Sequence, residues 1–402
     1  MKKHWILIIS LAMAAMGLSA CSEAVLDAIG DMKEDFYELA SDIGSGGGDG
    51  HQGGRAGVLT AGEWNDLDNW EFWGNLLNDK AFSGYEPYWK MYTDNRVAVK
   101  VTGADDEPAA GVKVELKRGG KTLWSTMTDN AGTAECWVGF FQRDSALAAD
   151  SAAWKDFTVA IDGKDMEAGT VFSKRSYPVS INEYKIDSYV APKKSADIAF
   201  IVDATGSMSD EIDFLKEDLM AILNAVKDST DIALRTGTVF YRDEGDSYLT
   251  RFSQFTEDIA GTVGFISEQS ANGGGDYEEA VHSALESSLQ DLSWDETGRA
   301  RIAFLVFDAP AHQNHKGVVE SLHKSLENYA RKGIKIIPVL ASGGSKEAEF
   351  MGRLFAICTN GTYVFLTDDS GVGGDHIQAS VGEYQVEKLG DLLVRLILAN
   401  IR

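Results

Sequence analysis

Three oxygen-bearing side chains lie at alternate positions in one short stretch of this 402-residue chain. Asp203 supplies a carboxylate, and Thr205 and Ser207 supply neutral hydroxyls. Ligands of this kind suit hard cations such as Mg²⁺, Mn²⁺ or Ca²⁺, whereas Zn²⁺ usually draws histidine or cysteine into its site. The stretch contains neither, so it predicts a hard-cation site. The alternative is that Asp203 only caps the following turn or helix.

The flanking sequence predicts the elements that position these ligands. Residues 198–202, reading IAFIV, form the nearly continuous apolar run that is typical of a strand buried on both faces. Gly206 permits a tight turn after that strand. From Met208 to Ala225 apolar residues recur at steps of three and four, which predicts an amphipathic helix. The oxygen cluster is therefore expected where a strand, a turn and a helix meet.

The pattern of Asp203, Thr205 and Ser207 after a buried strand resembles the metal-ion-dependent adhesion site of von Willebrand factor type A (vWA) domains, D-x-[ST]-x-S. The resemblance implies that two further loops complete the site. A second apolar strand, Ile302–Phe307, leads directly into Asp308, where the family has its distal aspartate. Asp308 is therefore expected to be a ligand, the alternative being an ordinary turn aspartate.

The remaining loop departs from the family pattern. Residues 272–276, reading NGGGD, lie where the family usually contributes a threonine, and this loop has none. Asp276 is the candidate ligand instead. Its carboxylate either binds the cation directly, binds it through water, or caps the following helix, which is expected over Tyr277–Leu289.

The C-terminal half alternates strands with helices, which predicts an α/β fold whose largely parallel sheet is covered by helices. The resemblance implies a doubly wound, mostly parallel, Rossmann-like vWA sheet over residues 191–402. Further strands of that sheet are predicted at Ile232–Phe240, Tyr248–Phe252, Ile334–Leu340 and Thr362–Leu366.

Residues 96–190 show short alternating strands between glycine-containing turns, which predicts a small antiparallel β-sandwich domain. The pieces PAAGVKVELKRGG and TDNAGTAE resemble the Ig-like, carboxypeptidase regulatory-like modules of bacterial surface proteins. Its strands are predicted at Val97–Val101, Val112–Lys117, Thr122–Thr126 and Thr133–Val138.

Residues 58–95 are rich in aromatic side chains. Such rings serve either glycan stacking, a protein-binding face, or packing of one domain on another. We expect packing, because residues 62–67, reading GEWNDL, are typical of a helix or turn with a buried face.

The first 20 residues predict a lipoprotein signal peptide, with two lysines, an apolar core and the closing sequence LSAC. That sequence resembles a bacterial lipobox, which implies lipidation of Cys21 and, with Ser22 after it, an outer-membrane location whose face stays open. The alternative is an ordinary secretory cleavage site before a cysteine. Residues 21–57 are expected to form a tether with a glycine-rich linker.

The formal net charge of −25 at pH 7 argues against nucleic-acid binding, which needs a basic face. It suits cation binding, a basic partner or simply solubility. Cys136 and Cys358 fall in different predicted domains, so a disulfide framework is not expected and both are predicted to be small buried hydrophobes.

Catalytic signatures are weak in this sequence. His312 and His315 follow Asp308 closely and would offer zinc ligands with it, but their loop lacks a third ligand at convincing spacing. No Ser-His-Asp arrangement, phosphate-binding glycine loop or H-E-x-x-H motif is recognisable. The chain is therefore expected not to be an enzyme, and metal-dependent hydrolysis is the weakest alternative.

Together these features predict a membrane-anchored bacterial lipoprotein whose vWA domain binds a protein partner. The resemblance implies that Mg²⁺, or Mn²⁺ or Ca²⁺, binds an acidic side chain of that partner. The alternative is a structural envelope scaffold in which the metal only stabilises the fold.

Overall fold

The computed structural model describes residues 59–143, 155–166, 170–173, 178–370 and 376–402. The predicted signal peptide, Cys21 and the tether over residues 21–57 lie outside these ranges. All described residues fall within one compact unit. Among their helices, none combines the length and the apolar character that crossing a bilayer requires.

Strands and α-helices alternate through most of the described chain. The strands are β1 (Thr60–Trp64), β2 (Arg96–Thr102), β3 (Lys113–Arg118), β4 (Lys121–Met127), β5 (Thr133–Trp137), β6 (Phe157–Ile161), β7 (Lys164–Asp165), β8 (Ile181–Lys185), β9 (Lys193–Asp203), β10 (Ala233–Tyr241), β11 (Thr250–Thr256), β12 (Gly298–Phe307), β13 (Lys335–Leu340), β14 (Tyr363–Thr367) and β15 (Glu387–Lys388). The helices are α1 (Trp70–Leu76), α2 (Lys80–Ser83), α3 (Tyr85–Trp89), α4 (Ser209–Asp228), α5 (Ile259–Ser267), α6 (Val281–Gln290), α7 (Val318–Lys332), α8 (Lys346–Thr359) and α9 (Leu389–Ile401).

A mixed sheet of eight strands dominates the molecule, in the order β11-β10-β9-β12-β13-β14-β1-β15. Pairing is parallel from β10 through β14, and antiparallel where β11, β1 and β15 join. The predicted α/β character is confirmed, with a sheet that is mixed rather than uniformly parallel. The doubly wound parallel arrangement stays a prediction.

The central strand β9 shows why this sheet forms. From Ala196 to Asp203 every residue is buried. Ile198, Phe200 and Val202 join an apolar cluster with residues of α4, α5 and α9, and their neighbours Ala199 and Ile201 join another with residues of α6, α7 and α8. Because side chains alternate across a strand, a continuous apolar run is what two helix-covered faces require.

Strand β1 was not predicted. Residues 62–67 were expected to form a helix or turn, but β1 lies within the large sheet, hydrogen-bonded to β14 on one side and β15 on the other. β1 has only five residues, and burial does not alternate strictly along it. So short a strand gives almost no periodic signal, and the turn residues that follow it dominate the pattern.

Strands β2 to β8 form two smaller sheets, in the orders β5-β2-β8 and β4-β3-β6-β7. The four strands predicted in this region correspond to β2, β3, β4 and β5. The prediction of a wholly antiparallel arrangement is wrong at one pair, because β8 runs parallel to β2. A strand that returns after a long connection is free to pair in parallel, whereas a hairpin neighbour is not. The Ig-like resemblance stays a prediction.

The aromatic segment packs, as expected. Trp73, Phe82 and Tyr85 surround Phe350 of α8, with ring centroids 5.3–6.2 Å from it. Trp70 contacts Trp137 of β5 at 5.7 Å. These rings therefore join the N-terminal helices to both the large sheet's helix layer and the smaller sheets.

A buried ion pair accompanies these rings. Arg353 of α8 is fully buried, and its guanidinium donates to both carboxylate oxygens of Asp66, at 2.8 and 2.5 Å. It also donates to Glu349 at 3.2 Å. Because this bidentate ion pair is directional, it fixes how α8 packs against the segment around Asp66 more strictly than apolar contacts do.

Cys136 and Cys358 are buried and free, and burial raises the pKa of both thiols.

Two glycines provide a test of this packing. A Cβ at Gly361 would lie 2.0 Å from the Ile336 carbonyl oxygen, whereas at Gly264, an exposed position in α5, it would meet nothing within 4 Å. We expect Gly361→Ala to lower the free energy of unfolding by about 1–3 kcal/mol, as overpacking does. Gly264→Ala should raise it by about 0.5–1 kcal/mol, because glycine weakens helix interiors. Urea denaturation measures both, and equal changes in the two variants would contradict the packing.

Candidate metal centre

The predicted turn begins where β9 ends. Asp203 is fully buried, and its Oδ1 accepts hydrogen bonds from the Thr205 amide at 2.8 Å and the Thr205 hydroxyl at 2.7 Å. Its Oδ2 has no hydrogen-bond partner among the described residues. The Tyr241 hydroxyl lies nearby and weakly favours the ionised carboxylate, but it too lacks a hydrogen-bond partner. A buried carboxylate oxygen without a partner is costly unless a cation compensates it.

Asp308 reaches the same place from the neighbouring strand. β12 pairs in parallel with β9, so the carboxyl ends of both strands lie at one edge of the sheet. Asp308 follows β12 directly and is buried. Burial raises the pKa of Asp308, and a hydrogen bond from Ser207 partly opposes this rise. The fold therefore brings Asp203, Thr205, Ser207 and Asp308 together, as the sequence predicts.

The electrostatics of this edge favour a cation. Burial and, to a smaller extent, the neighbouring Asp308 carboxylate together raise the pKa of Asp203 to about 7. Two carboxylates in a low-dielectric site repel one another unless a proton or a metal ion lies between them. The donor set of carboxylates and hydroxyls fits a hard divalent cation.

The glycine loop, residues 272–276, packs directly on this turn. The Gly206 amide donates to the Gly273 carbonyl at 3.2 Å, and the Asn272 amide donates to the Ala204 carbonyl at 3.0 Å. The next helix was expected to start at Tyr277, but α6 begins at Val281 with Ala280 as its N-cap. Asp276 therefore does not cap that helix. Its role as a ligand of the first cation stays a prediction.

Glu279 is a site residue that the sequence analysis missed. Residues 277–280 are extended toward the loop after β12 instead of helical, and the Glu279 amide donates to the Pro310 carbonyl at 2.9 Å. Only 4% of Glu279 is exposed, and its Oε2 has no partner among the described residues. Burial raises the pKa of Glu279 to about 9, with smaller contributions from Asp203 and Asp243. The sequence analysis missed Glu279 because this residue falls within the helix that was expected over Tyr277–Leu289.

Residues 197–371 match the family model described as the von Willebrand factor A domain. This segment is a vWA domain. The match includes Asp203, Thr205, Ser207 and Asp308, together with the glycine loop.

Two curated proteins are similar to part of the chain. An ariadne-like RING finger protein of Acanthamoeba polyphaga mimivirus is 34% identical over 136 residues, which cover 34% of this chain and 12% of that protein. The alpha-protein kinase vwkA of Dictyostelium discoideum is 30% identical over 126 residues, covering 31% of this chain and 20% of the kinase. The chain thus spans at most a fifth of either relative.

Among solved structures, the pilus adhesin SpaC from Lactobacillus rhamnosus GG is similar in two crystal structures. One covers 46% of this chain and 29% of SpaC, and the other, an open conformation, covers 53% and 30%. Both have 12% sequence identity and a TM-score of 0.35, which is too weak a likeness to support a conclusion.

A second group of ligand-type side chains lies at the same edge of the vWA domain. Asp243, Asp276 and His312 each place one ligand atom within 4.8 Å of the others. His312 Nε2 lies 2.5 Å from Asp243 Oδ1, and the His315 ring stacks on His312 at 4.3 Å. The zinc set considered from sequence paired His312 and His315 with Asp308, but the structure groups His312 with Asp243 instead. Asp243 lies in a polar loop, RDEGDS, that gave no signal.

A serine, a histidine and an aspartate are linked by hydrogen bonds near the C-terminal end of the matched segment, which the sequence analysis did not recognise. His376 lies 3.0 Å from the Ser342 hydroxyl and 2.7 Å from Asp368 Oδ1. The Ser342 hydroxyl also donates to Glu211 Oε1 at 3.0 Å, so Glu211 competes with His376 for its proton. A serine is activated by giving its proton to a base, and this competition weakens the activation.

Proposed function

We propose that the vWA domain of this chain binds a partner protein through a divalent cation held by Asp203, Thr205, Ser207 and Asp308. The observation that carries this proposal is the unpartnered Oδ2 of Asp203 in a fully buried carboxylate. The ligand set supports Mg²⁺, or Mn²⁺ or Ca²⁺. Asp276 stays a candidate ligand of the same cation.

The bound cation would supply positive charge to which an acidic side chain of the partner binds. Thr205 and Ser207 are neutral ligands, so the negative charge in the set comes from Asp203 and Asp308 alone. Asp203 fixes the turn by accepting both Thr205 hydrogen bonds. Asp308 is oriented by the Ser207 hydroxyl. These contacts hold the ligands before the cation arrives, which favours affinity.

We propose binding rather than catalysis. At the serine nearest to a catalytic arrangement, Glu211 competes with His376 for the hydroxyl proton, as described above. We further propose an envelope location, with lipid attached at Cys21 and the protein anchored to the outer membrane. The lipobox-like sequence LSAC supports this part of the proposal.

The decisive experiment is calorimetric titration of the purified protein with Mg²⁺, Mn²⁺ and Ca²⁺. We expect saturable binding that Asp203→Ala abolishes. Asp213→Ala is the matched control, since Asp213 lies on the adjoining helix α4 with its side chain 59% exposed. Cation binding that survives Asp203→Ala unchanged would overturn the proposed site.

Partner recognition needs a separate readout. An array of acidic peptides should bind the protein with Mg²⁺ and release it with EDTA, and the matching Asn and Gln peptides should not bind. One observation favours the scaffold alternative: the core of the smaller sheets is continuous with one face of the vWA sheet. Under that alternative, cations raise the melting temperature but no acidic peptide binds.

A further inference from the structure

Three loops converge beside the proposed cation site. Asp243 lies two residues after β10, Asp276 ends the glycine loop, and His312 follows β12. Asp243 and His312 are buried, with 6% and 5% of their surface exposed, whereas Asp276 is exposed. One ligand atom from each lies within 4.8 Å of the others. The group is therefore buried at Asp243 and His312 and reaches solvent at Asp276.

The ligand chemistry here differs from that of the first site. An imidazole nitrogen joined to two carboxylate oxygens suits Zn²⁺ and related transition metals better than Mg²⁺, which prefers oxygen and water. His312 Nε2 and Asp243 Oδ1 are hydrogen-bonded at 2.5 Å, so one imidazole nitrogen and one carboxylate oxygen already lie side by side, as two ligands of one ion must. Three protein ligands with an open position are typical of exchangeable zinc sites.

The backbone around the group supports a preformed site. Asp246 Oδ2 accepts hydrogen bonds from the Gly274 amide at 3.0 Å and the Asp243 amide at 3.3 Å. This carboxylate ties the loop after β10 to the glycine loop. This bridge places Asp243 and Asp276 near each other without using the side chain of either residue.

A separate observation points to positive charge missing from this edge. The buried Oε2 of Glu279 has no hydrogen-bond partner among the described residues, and Glu279 is only 4% exposed. Asp203, Asp243 and Asp308 all act electrostatically on this carboxyl, so it faces carboxylates of both groups. A buried carboxyl among further carboxylates either binds a proton or is compensated by a cation.

We propose that Asp243, Asp276 and His312 bind a second divalent cation of the Zn²⁺ type, distinct from the hard cation of the first site. The ion joins the loops after β10 and β12 to the glycine loop, which packs on the Asp203 turn. In this assignment Asp276 serves the second cation rather than the first.

Titration of the purified protein with Zn²⁺, and with Co²⁺ as a spectroscopic probe, tests the proposal. We expect one Zn²⁺ whose dissociation constant rises by about 100-fold or more in His312→Gln and Asp276→Asn. Visible absorption of bound Co²⁺ should disappear in the same variants. Asp203→Asn should retain both signals, because it belongs to the first site. Circular dichroism and melting curves establish that each variant is folded.

Two controls test whether the Zn²⁺ ion is bound by these three residues. His315→Gln removes a neighbouring histidine that lies 3.5 Å from Glu244 and is half exposed, and Zn²⁺ binding should persist in it. Loss in His315→Gln without loss in Asp276→Asn would assign the ion to exposed histidines and overturn the proposal. Asp276→Asn should also keep Mg²⁺ binding. If Mg²⁺ binding is lost and Zn²⁺ binding kept, Asp276 belongs to the first site and the second is refuted.

Discussion

Replacing Asp66 by alanine is expected to lower the free energy of unfolding by about 3–5 kcal/mol, the usual result of removing one partner of a buried ion pair. Arg353 is fully buried and donates to both oxygens of Asp66. Without Asp66, only the contact with Glu349 and one with the Ser380 carbonyl remain. The Trp64 indole, which donates to Asp66 at 3.1 Å, loses its acceptor as well.

Urea denaturation of the two proteins measures this effect, and Asp68→Ala is the matched control. Asp68 lies two residues along the chain and is exposed, so its replacement should change stability by less than about 0.5 kcal/mol. The double variant Asp66→Ala with Arg353→Leu should recover part of the loss, because no buried charge is then left unpaired. A loss below about 1 kcal/mol in Asp66→Ala would show that water reaches Arg353 in solution.

Asp203→Asn is expected to stabilise the cation-free protein, although it removes a ligand. Burial raises the pKa of Asp203 to about 7, well above the usual value for aspartate. A carboxyl whose pKa is raised on folding contributes stability at low pH that is lost as the pH rises through the folded pKa. In EDTA, wild type should therefore lose stability between about pH 4 and pH 7 relative to the variant, by an amount on the order of 4 kcal/mol.

Divalent cation should oppose that loss in wild type. A ligand that binds only the folded state at about 100 times its Kd adds about 2.7 kcal/mol to stability, and only wild type should gain it. Melting curves of each protein at pH 5 and pH 8, with EDTA and with Mg²⁺, measure its stability under all four conditions. The control variant Asp213→Asn should have the same stability as wild type under each of these conditions. Parallel pH profiles for wild type and Asp203→Asn in EDTA would mean that Asp203 is solvated or already neutral.

The central strands were predictable because each carries a strong local signal. β9 and β12 are long and mostly apolar. Because β9 ends in Asp203 and Asp308 directly follows β12, both the strands and the meeting of the two aspartates follow from sequence alone. β1 and the parallel pair of β2 with β8 were not predictable. Their pairing depends on contacts between residues far apart in the chain, which no local periodicity reports.

The residues of the candidate site likewise divide into those that the sequence predicts and those that it does not. Residues within one motif, Asp203, Thr205 and Ser207, carry their own spacing signal. Glu279 and Asp243 do not, because each lies in a polar stretch that is typical of a solvated surface and is drawn to the site only by tertiary folding. Asp276 was recognised as a ligand-type residue, but its neighbours Asp243 and His312 come from two other loops.

The two-sided pairing of β1 limits how the vWA domain can be isolated. The segment that matches the family, residues 197–371, excludes β1, β15 and α9. Excising it would leave β14 with an unpaired row of backbone groups and uncover the apolar face of the sheet that α9 protects. Open edges of this kind pair with other chains, so the isolated segment should self-associate. Autonomous folding therefore belongs to a unit that retains both β1 and α9, although the two are separated by most of the sequence.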